Sequence, residues 1–191
     1  MSIKTLIFLM LVLVVIAGCA QKKFLLITPP IETAYIFSHT NETIELPGAE
    51  VWKNISFAQE KTALKRNIDH THDDRTNDTF TIRKDGIYDL GFNFDVIDTS
   101  ASSTDVDVAG RAIYGNSSEI PGSVFETDIT KKQIEVELSH EFLAELRAGD
   151  EVVFQFIATD GDVELSTHGT FGDHPDSGSI VIKKIANILT N

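Results

Sequence analysis

The chain of 191 residues contains a single cysteine, Cys19, so no disulfide can form within it and packing alone must hold its core. Basic residues are also scarce, because 16 Lys and Arg stand against 29 Asp and Glu and leave a formal charge of −13. A nucleic-acid partner requires basic side chains that replace the counterions of phosphates. The composition therefore argues against a nucleic-acid partner, and the length corresponds to about one domain.

Motifs of catalysis are missing as well. The sequence has no Gly-x-Ser-x-Gly nucleophile elbow and no glycine loop of the kind that binds phosphate. Acidic pairs such as Asp105/Asp107 alternate with apolar residues, which is typical of the solvent face of a strand. We therefore expect a protein that is not an enzyme and that has no organic cofactor.

The N-terminus has the pattern of an export signal. Lys4 precedes an apolar run at residues 6–16, and small residues follow at 17–19. The run is too short to span about 30 Å of hydrocarbon comfortably. The order Ile-Ala-Gly-Cys at 16–19 resembles a prokaryotic lipobox, which implies a signal peptide at 1–18 and a lipid on Cys19. The alternative is an uncleaved membrane anchor, and both place the rest of the chain at the cell surface, outside the cytoplasm.

Four Asn-x-Ser/Thr sequons occur, where about one is expected, and they begin at Asn41, Asn54, Asn77 and Asn116. They predict N-linked glycans on solvent-facing positions. The alternative is that Asn, Ser and Thr simply gather in turns.

Beyond residue 40 the apolar residues alternate with polar ones, which is the period of β-strands. The clearest segment places Tyr88, Leu90, Phe92 and Phe94 on one face. Turn pairs that contain glycine separate such segments, and only residues 141–147 suggest a short helical turn. The pattern predicts an all-β protein, a two-sheet antiparallel sandwich or barrel at 41–191, preceded by a tether at 19–40.

The strand predicted at residues 151–158 is apolar on both faces, since Val153 and Ile157 lie opposite Phe154 and Phe156. Residues 180–182 repeat this pattern. A strand with two apolar faces needs a cover on each side, and we expect a second copy of the chain to supply one of them. A loop of the same chain is the alternative cover.

Three stretches resemble the globular head of complement C-one-q, a relative of the tumour necrosis factor fold. The first is an aromatic and glycine signature formed by Phe80, Gly86, Tyr88, Leu90 and Phe92. The second is the sequence Leu-Arg-Ala-Gly-Asp-Glu-Val at 146–152, and the third is the closing strand at 179–182. The resemblance covers about residues 50–188 and implies a jelly roll of about ten antiparallel strands that assembles as a trimer. No collagen-like repeat precedes it.

The implied trimer assigns seven side chains to its interface, namely Tyr88, Phe92, Val153, Phe154, Phe156, Ile157 and Val181. We expect a lipid-anchored homotrimer displayed at a surface, whose loops recognise a protein or a glycan. The alternatives are a structural coat or virion-surface component and a calcium-dependent carbohydrate-binding domain.

Two stretches are candidates for a metal site. His70 and His72 share a strand face and precede Asp73 and Asp74, but the spacing of metal-binding cupins is absent, so we expect a solvated loop there. Oxygen donors suitable for calcium lie in acidic turns, at Asp160, Asp162, Asp173 and Asp176. The alternative for these turns is simple solvation.

Overall fold

The computed structural model describes residues 30–72, 78–101, 105–166 and 176–188, with the backbone alone for 59–63. The ordered elements in these ranges are all strands, which confirms the expected all-β class. They are β1 (Tyr35–Thr40), β2 (Ile44–Glu45), β3 (Lys53–Asn54), β4 (Gln59–Arg66), β5 (Ile68–Thr71), β6 (Thr79–Ile82), β7 (Gly86–Asp98), β8 (Val106–Tyr114), β9 (Phe125–Ile129), β10 (Val136–Leu146), β11 (Glu151–Ala158), β12 (Val163–Leu165) and β13 (Gly178–Ala186). Across the described ranges, no helix has the length and apolar character that a membrane crossing requires.

The strands form two antiparallel sheets. The large sheet has seven strands in the order β2-β12-β7-β13-β1-β4, with β10 also paired to β7. The small sheet has six in the order β5-β6-β11-β8-β9, with β3 also paired to β11. The long strand β7 pairs with β10 along one edge. Along its other edge it pairs first with β13 and then with β12, so that Val96 has Val136 on one side and Leu165 on the other. The predicted two-sheet antiparallel sandwich is confirmed.

The core lies between the two sheets and is rich in aromatic rings. Every even-numbered residue of β7 is buried, and Tyr88 satisfies its polar end by donating its hydroxyl hydrogen to the carbonyl of Lys84 at 2.6 Å. Phe154 of β11 stands at the centre, with the rings of Phe57, Phe80 and Phe92 at 6.2, 6.0 and 6.3 Å in edge-to-face contact. These contacts join the large sheet to the small one.

The close approach of the sheets depends on a glycine in β8. A Cβ atom on Gly110 would lie 2.7 Å from the ring of Phe92 and 3.1 Å from Leu138. Both distances are too short for an ordinary contact, so Phe92 packs directly on the glycine backbone.

The turn before β11 shows why the Gly-Asp pair of the second resemblance stretch is needed. Gly149 has a φ of 98°, in the region that favours glycine. The carboxylate of Asp150 accepts a hydrogen bond from the backbone N–H of Arg147 at 2.8 Å. The two residues close the turn between β10 and β11.

Two expectations about local structure were wrong. The stretch 35–40, assigned to the tether, is strand β1, paired with β13 and β4. Residues 141–147 do not form a helical turn, because 141–146 continue β10 and pair with β7. The tether therefore ends before residue 35. From Ile31 onward the chain already belongs to the compact unit that contains the strands.

The central position of Phe154 gives a test of the core. We expect Phe154→Ala to lower the free energy of unfolding by about 3–5 kcal/mol, since it removes a ring that three others contact. Urea denaturation measures the change. Val51→Ala is the matched control, because Val51 is 47% exposed and its truncation should cost no more than about 0.5 kcal/mol. Equal losses in the two variants would contradict the central role of this ring.

Candidate functional site

The face of the large sheet that points away from the core is the candidate site, and we call it the outer face. Alternation along β7 places Asp89, Gly91 and Asn93 there, opposite the buried aromatic row. Residues of the neighbouring strands β1, β10 and β13 lie beside them in register, and they are Phe37, His39, Ser139, Glu141, Leu143, Ser179, Val181 and Lys183.

A hollow lies at the centre of the outer face. Gly91 has no side chain, and its neighbours in register are Glu141 on β10 and Val181 on β13. The space left between them has a volume of about 150 Å³, and Asn93 forms part of its lining. The Oδ1 atom of Asn93 is buried and has no hydrogen-bond partner among the described residues. A buried acceptor without a donor costs about 1–3 kcal/mol, so Asn93 is a position where the protomer alone is not fully satisfied.

Apolar side chains flank this hollow. Val181 is 42% exposed and Leu143 is 60% exposed, although both lie in the middle of long strands. In β1 the ring of Phe37 stacks on His39 at a centroid distance of 5.6 Å. Exposed apolar groups around a hollow with an unpaired polar atom are typical of a protein interaction surface.

One end of the outer face is strongly negative. Asp95 follows Asn93 along the same face and pairs in register with Glu137. Burial and the nearby charges of Glu135, Glu137 and Asp176 together raise the pKa of Asp95 to about 6, and burial contributes most. Beside it, Nδ1 of His39 lies 2.6 Å from Oδ1 of Asp176.

Four of the seven side chains predicted at a trimer interface lie in the core of the protomer instead. Tyr88, Phe92, Phe154 and Phe156 are at most 3% exposed and fill the core of their own protomer. They leave no surface for a second copy, so the expectation for these four is corrected. Sequence alternation showed that they share a buried face, but it does not distinguish a sandwich core from a subunit contact.

The second apolar face of β11 is also covered from within the chain. Val153 is 5% exposed, and Gln155 beside it accepts a hydrogen bond from Arg111 Nε at 2.8 Å. Arg111 lies 3.7 Å from the ring centroid of Trp52 in a cation–π contact. The cover expected from a sister chain is thus supplied at Val153 by the same chain, while interface roles for the half-buried Ile157 and the exposed Val181 remain predictions.

The predicted calcium donors divide between two places. Asp160 and Asp162 share a turn, where Oδ1 of Asp160 accepts the backbone N–H of Asp162 at 2.9 Å. Asp176 pairs instead with His39, and Asp173 lies outside the described residues. Calcium binding by these turns stays a prediction.

The sequon residues Asn41, Asn54 and Asn116 are half-buried or exposed. At Asn116 the side-chain oxygen accepts hydrogen bonds from the N–H and hydroxyl of Ser118 at 3.0 and 2.6 Å. Asn77 and the lipidation candidate Cys19 lie outside the described residues. Glycosylation and lipidation therefore stay predictions.

A second polar group lies at the end of the β5–β6 hairpin. His70 and His72 both contact the buried carboxylate of Asp78, and the donor atoms of the three side chains lie within 4.8 Å of one another. The sequence identified the two histidines, but it paired them with Asp73 and Asp74, which lie outside the described residues. Asp78, six residues beyond His72, was missed because its position depends on the hairpin register.

The two antiparallel sheets and their strand order define a jelly roll of the tumour necrosis factor type. No protein-family model matches the chain, and no curated protein matches it. Among solved structures, the chain is similar to the Eiger TNF of S. frugiperda, with a TM-score of 0.51, 12% identity and coverage of 83% of this chain and 96% of that one. Murine APRIL at pH 8.0 gives a TM-score of 0.47, 11% identity and coverage of 81% and 100%. The similarity to Eiger TNF confirms the jelly-roll fold that the resemblance over about residues 50–188 implied.

Asp95 provides a test by pH. Its folded-state pKa of about 6 lies above the ordinary value of 3.8, so the folded protein binds the proton more tightly than the unfolded chain. Stability must therefore fall as the pH rises from about 4 to 6. We expect Asp95→Asn to flatten this slope and to stabilise the protein at pH 7 by about 1 kcal/mol, allowing for solvent screening.

Urea denaturation at four pH values between 4 and 7 measures this effect. Asp128→Asn is the control, since Asp128 is exposed on β9 and its substitution should leave the slope unchanged. A slope that persists in Asp95→Asn would show that another group binds the proton.

Proposed function

We propose that the chain is a non-enzymatic assembly and binding module, anchored by lipid at a cell surface, in which three copies pack through the outer face of the large sheet. The observation that supports this most is the hollow at Gly91 in the centre of the outer face, which Asn93 helps to line. Exposed Val181 and Leu143 flank it. A side chain that enters the hollow from a second copy would bury this apolar rim.

The choice of a sister copy as the occupant is supported by the fold. The chain shares its architecture with Eiger TNF over 83% of its length, and the sequence resemblance to complement C-one-q heads implies a trimer. A ring of three copies needs a heterologous contact, in which the outer face of one copy meets a different surface of the next. Each contact then buries its apolar centre inside a polar rim, as stable interfaces do.

In this proposal the loops at the ends of the sandwich bind the partner. Loops carried by a rigid framework are the usual position of recognition residues, and a trimer presents each loop three times. With a formal charge of −13, the module favours a protein partner with a basic surface over an acidic one. The proposed lipid on Cys19 would hold these loops outside the cytoplasm.

Assembly is tested by filling the hollow. A Cβ atom on Gly91 would lie 3.4 Å from Glu141 Cγ, an ordinary contact, so the protomer accepts a side chain there. We expect Gly91→Val to fold as well as the parent chain and to lose the trimer. Light scattering on the full chain in mild detergent, coupled to size exclusion, measures the number of copies.

Val181→Asp should dissociate the trimer in the same way, because a carboxylate cannot be buried unpaired at an interface. Val51→Asp is the matched control, since Val51 is similarly exposed but lies outside the outer face. A parent chain that is monomeric at micromolar concentration would refute the assembly proposal.

Recognition is tested by a glycan array and by a pull-down with the intact chain. A binding module should retain a defined glycan or protein, and the Gly91→Val monomer should retain it more weakly because it loses the gain from three linked sites. No binding in either the glycan array or the pull-down would favour a structural coat component instead.

A further inference from the structure

The β5–β6 hairpin places three metal-ligating side chains on one face. The register pairs His70 with Phe80 and Thr71 with Thr79, so His72 lies opposite Asp78. Because side chains alternate across a strand, these even-numbered residues all point to the side that faces the core. The face is apolar further along, where Ile68 pairs with Ile82, and becomes polar only at the hairpin end.

Asp78 is the centre of this group. Its side chain is 0% exposed, and its Oδ2 atom lies 3.0 Å from Nε2 of His70. Its Oδ1 atom lies 2.8 Å from Nδ1 of His72. The backbone N–H of Phe57 donates to the same carboxylate. These hydrogen bonds lower the pKa of Asp78 against the opposing effect of burial, so it is an anion at neutral pH.

The two imidazoles are held in fixed orientations. The ring of His70 stacks on Phe80 with a centroid distance of 4.6 Å and an angle of 14° between the planes. Its side chain is 3% exposed, whereas that of His72 is 35% exposed. One ligand is therefore rigid and inside the protein, and the other opens to solvent, where an ion can enter.

We propose that His70 Nε2, His72 Nδ1 and the Asp78 carboxylate bind Zn²⁺. Two imidazole nitrogens and one carboxylate oxygen are a donor set that zinc prefers, and calcium, which takes oxygen ligands, does not. In a tetrahedral site with bonds of about 2.0–2.1 Å, neighbouring donor atoms stand about 3.3 Å apart. The imidazole nitrogens lie 2.8 and 3.0 Å from the two oxygens of the carboxylate, and the ligand atoms of all three side chains lie within 4.8 Å of one another. An ion that draws them to the tetrahedral spacing therefore changes each separation by no more than about 1.5 Å.

Binding of the ion must displace the two imidazole hydrogens that point at Asp78. A carboxylate only accepts hydrogen bonds, so in the metal-free protein each imidazole nitrogen that faces Asp78 carries a hydrogen. On binding, each ring moves its hydrogen to the other nitrogen or releases a proton to water, and the freed lone pair binds the ion. Water on the His72 side fills the fourth position. The site joins β5, β6 and the loop at Phe57, so a bound ion should stabilise the small sheet.

The test uses the purified full chain, stripped of metal with EDTA and titrated with ZnCl₂ by calorimetry. We expect a single ion per chain and a melting temperature that rises with ZnCl₂. His72→Gln removes the exposed ligand with little effect on the core and should weaken binding at least about tenfold. Asp78→Asn should abolish it. Visible absorption of the Co²⁺-loaded chain reports tetrahedral nitrogen and oxygen ligation independently.

Asp69→Asn is the matched control. It makes the same charge change on the opposite face of the hairpin, where Asp69 forms an exposed ion pair with Arg83, and it should bind Zn²⁺ as the parent does. No heat and no melting shift in the parent at millimolar ZnCl₂ would overturn the proposal. Equal binding in the parent and His72→Gln, or the same stabilisation with CaCl₂, would overturn it as well. The outcome is independent of whether the chain forms a trimer.

Discussion

The burial of one face of β7 against β11 is the constraint on which the rest of the structure depends. Without a disulfide, the sandwich is held by rings that meet around Phe154 and by the direct contact of Phe92 with Gly110. Since side chains alternate, burying one row of β7 necessarily presents the other row on the outer face. The hollow at Gly91 is therefore a consequence of the same strand that forms the core, and so is the amide oxygen of Asn93, which has no partner in the described part of the chain.

The fold class could be predicted because the longest strand alternates without interruption and glycine-containing turns separate its neighbours. Strand β1 was missed because its inward positions Ser38 and Thr40 are buried polar residues, which hide the period of two. The short helix expected at 141–147 reflects good local helix formers such as Glu, Leu and Ala. Pairing with β7 along the whole of β10 overrides that preference.

The candidate sites could be predicted only in part, because they depend on contacts between distant segments. The apolar second face of β11 was visible in the sequence, but the side chains that cover it were not. Arg111 donates a hydrogen bond to Gln155 of β11 and packs on the ring of Trp52, which lies about a hundred residues earlier in the chain. The histidine pair was visible too, yet its carboxylate partner Asp78 is brought close by the hairpin register. Asn93 gave no signal at all, since an unpaired amide oxygen is a property of packing rather than of residue type.

The position of β1 has a mechanical consequence. This strand lies between β13 and β4 and runs antiparallel to both, with six residue pairs in register on the β13 side. A pull on the N-terminal end of this strand that acts along its axis would load these hydrogen bonds in shear, all together, instead of breaking them one at a time. A domain tethered by its N-terminus in flowing fluid would resist extraction through this arrangement.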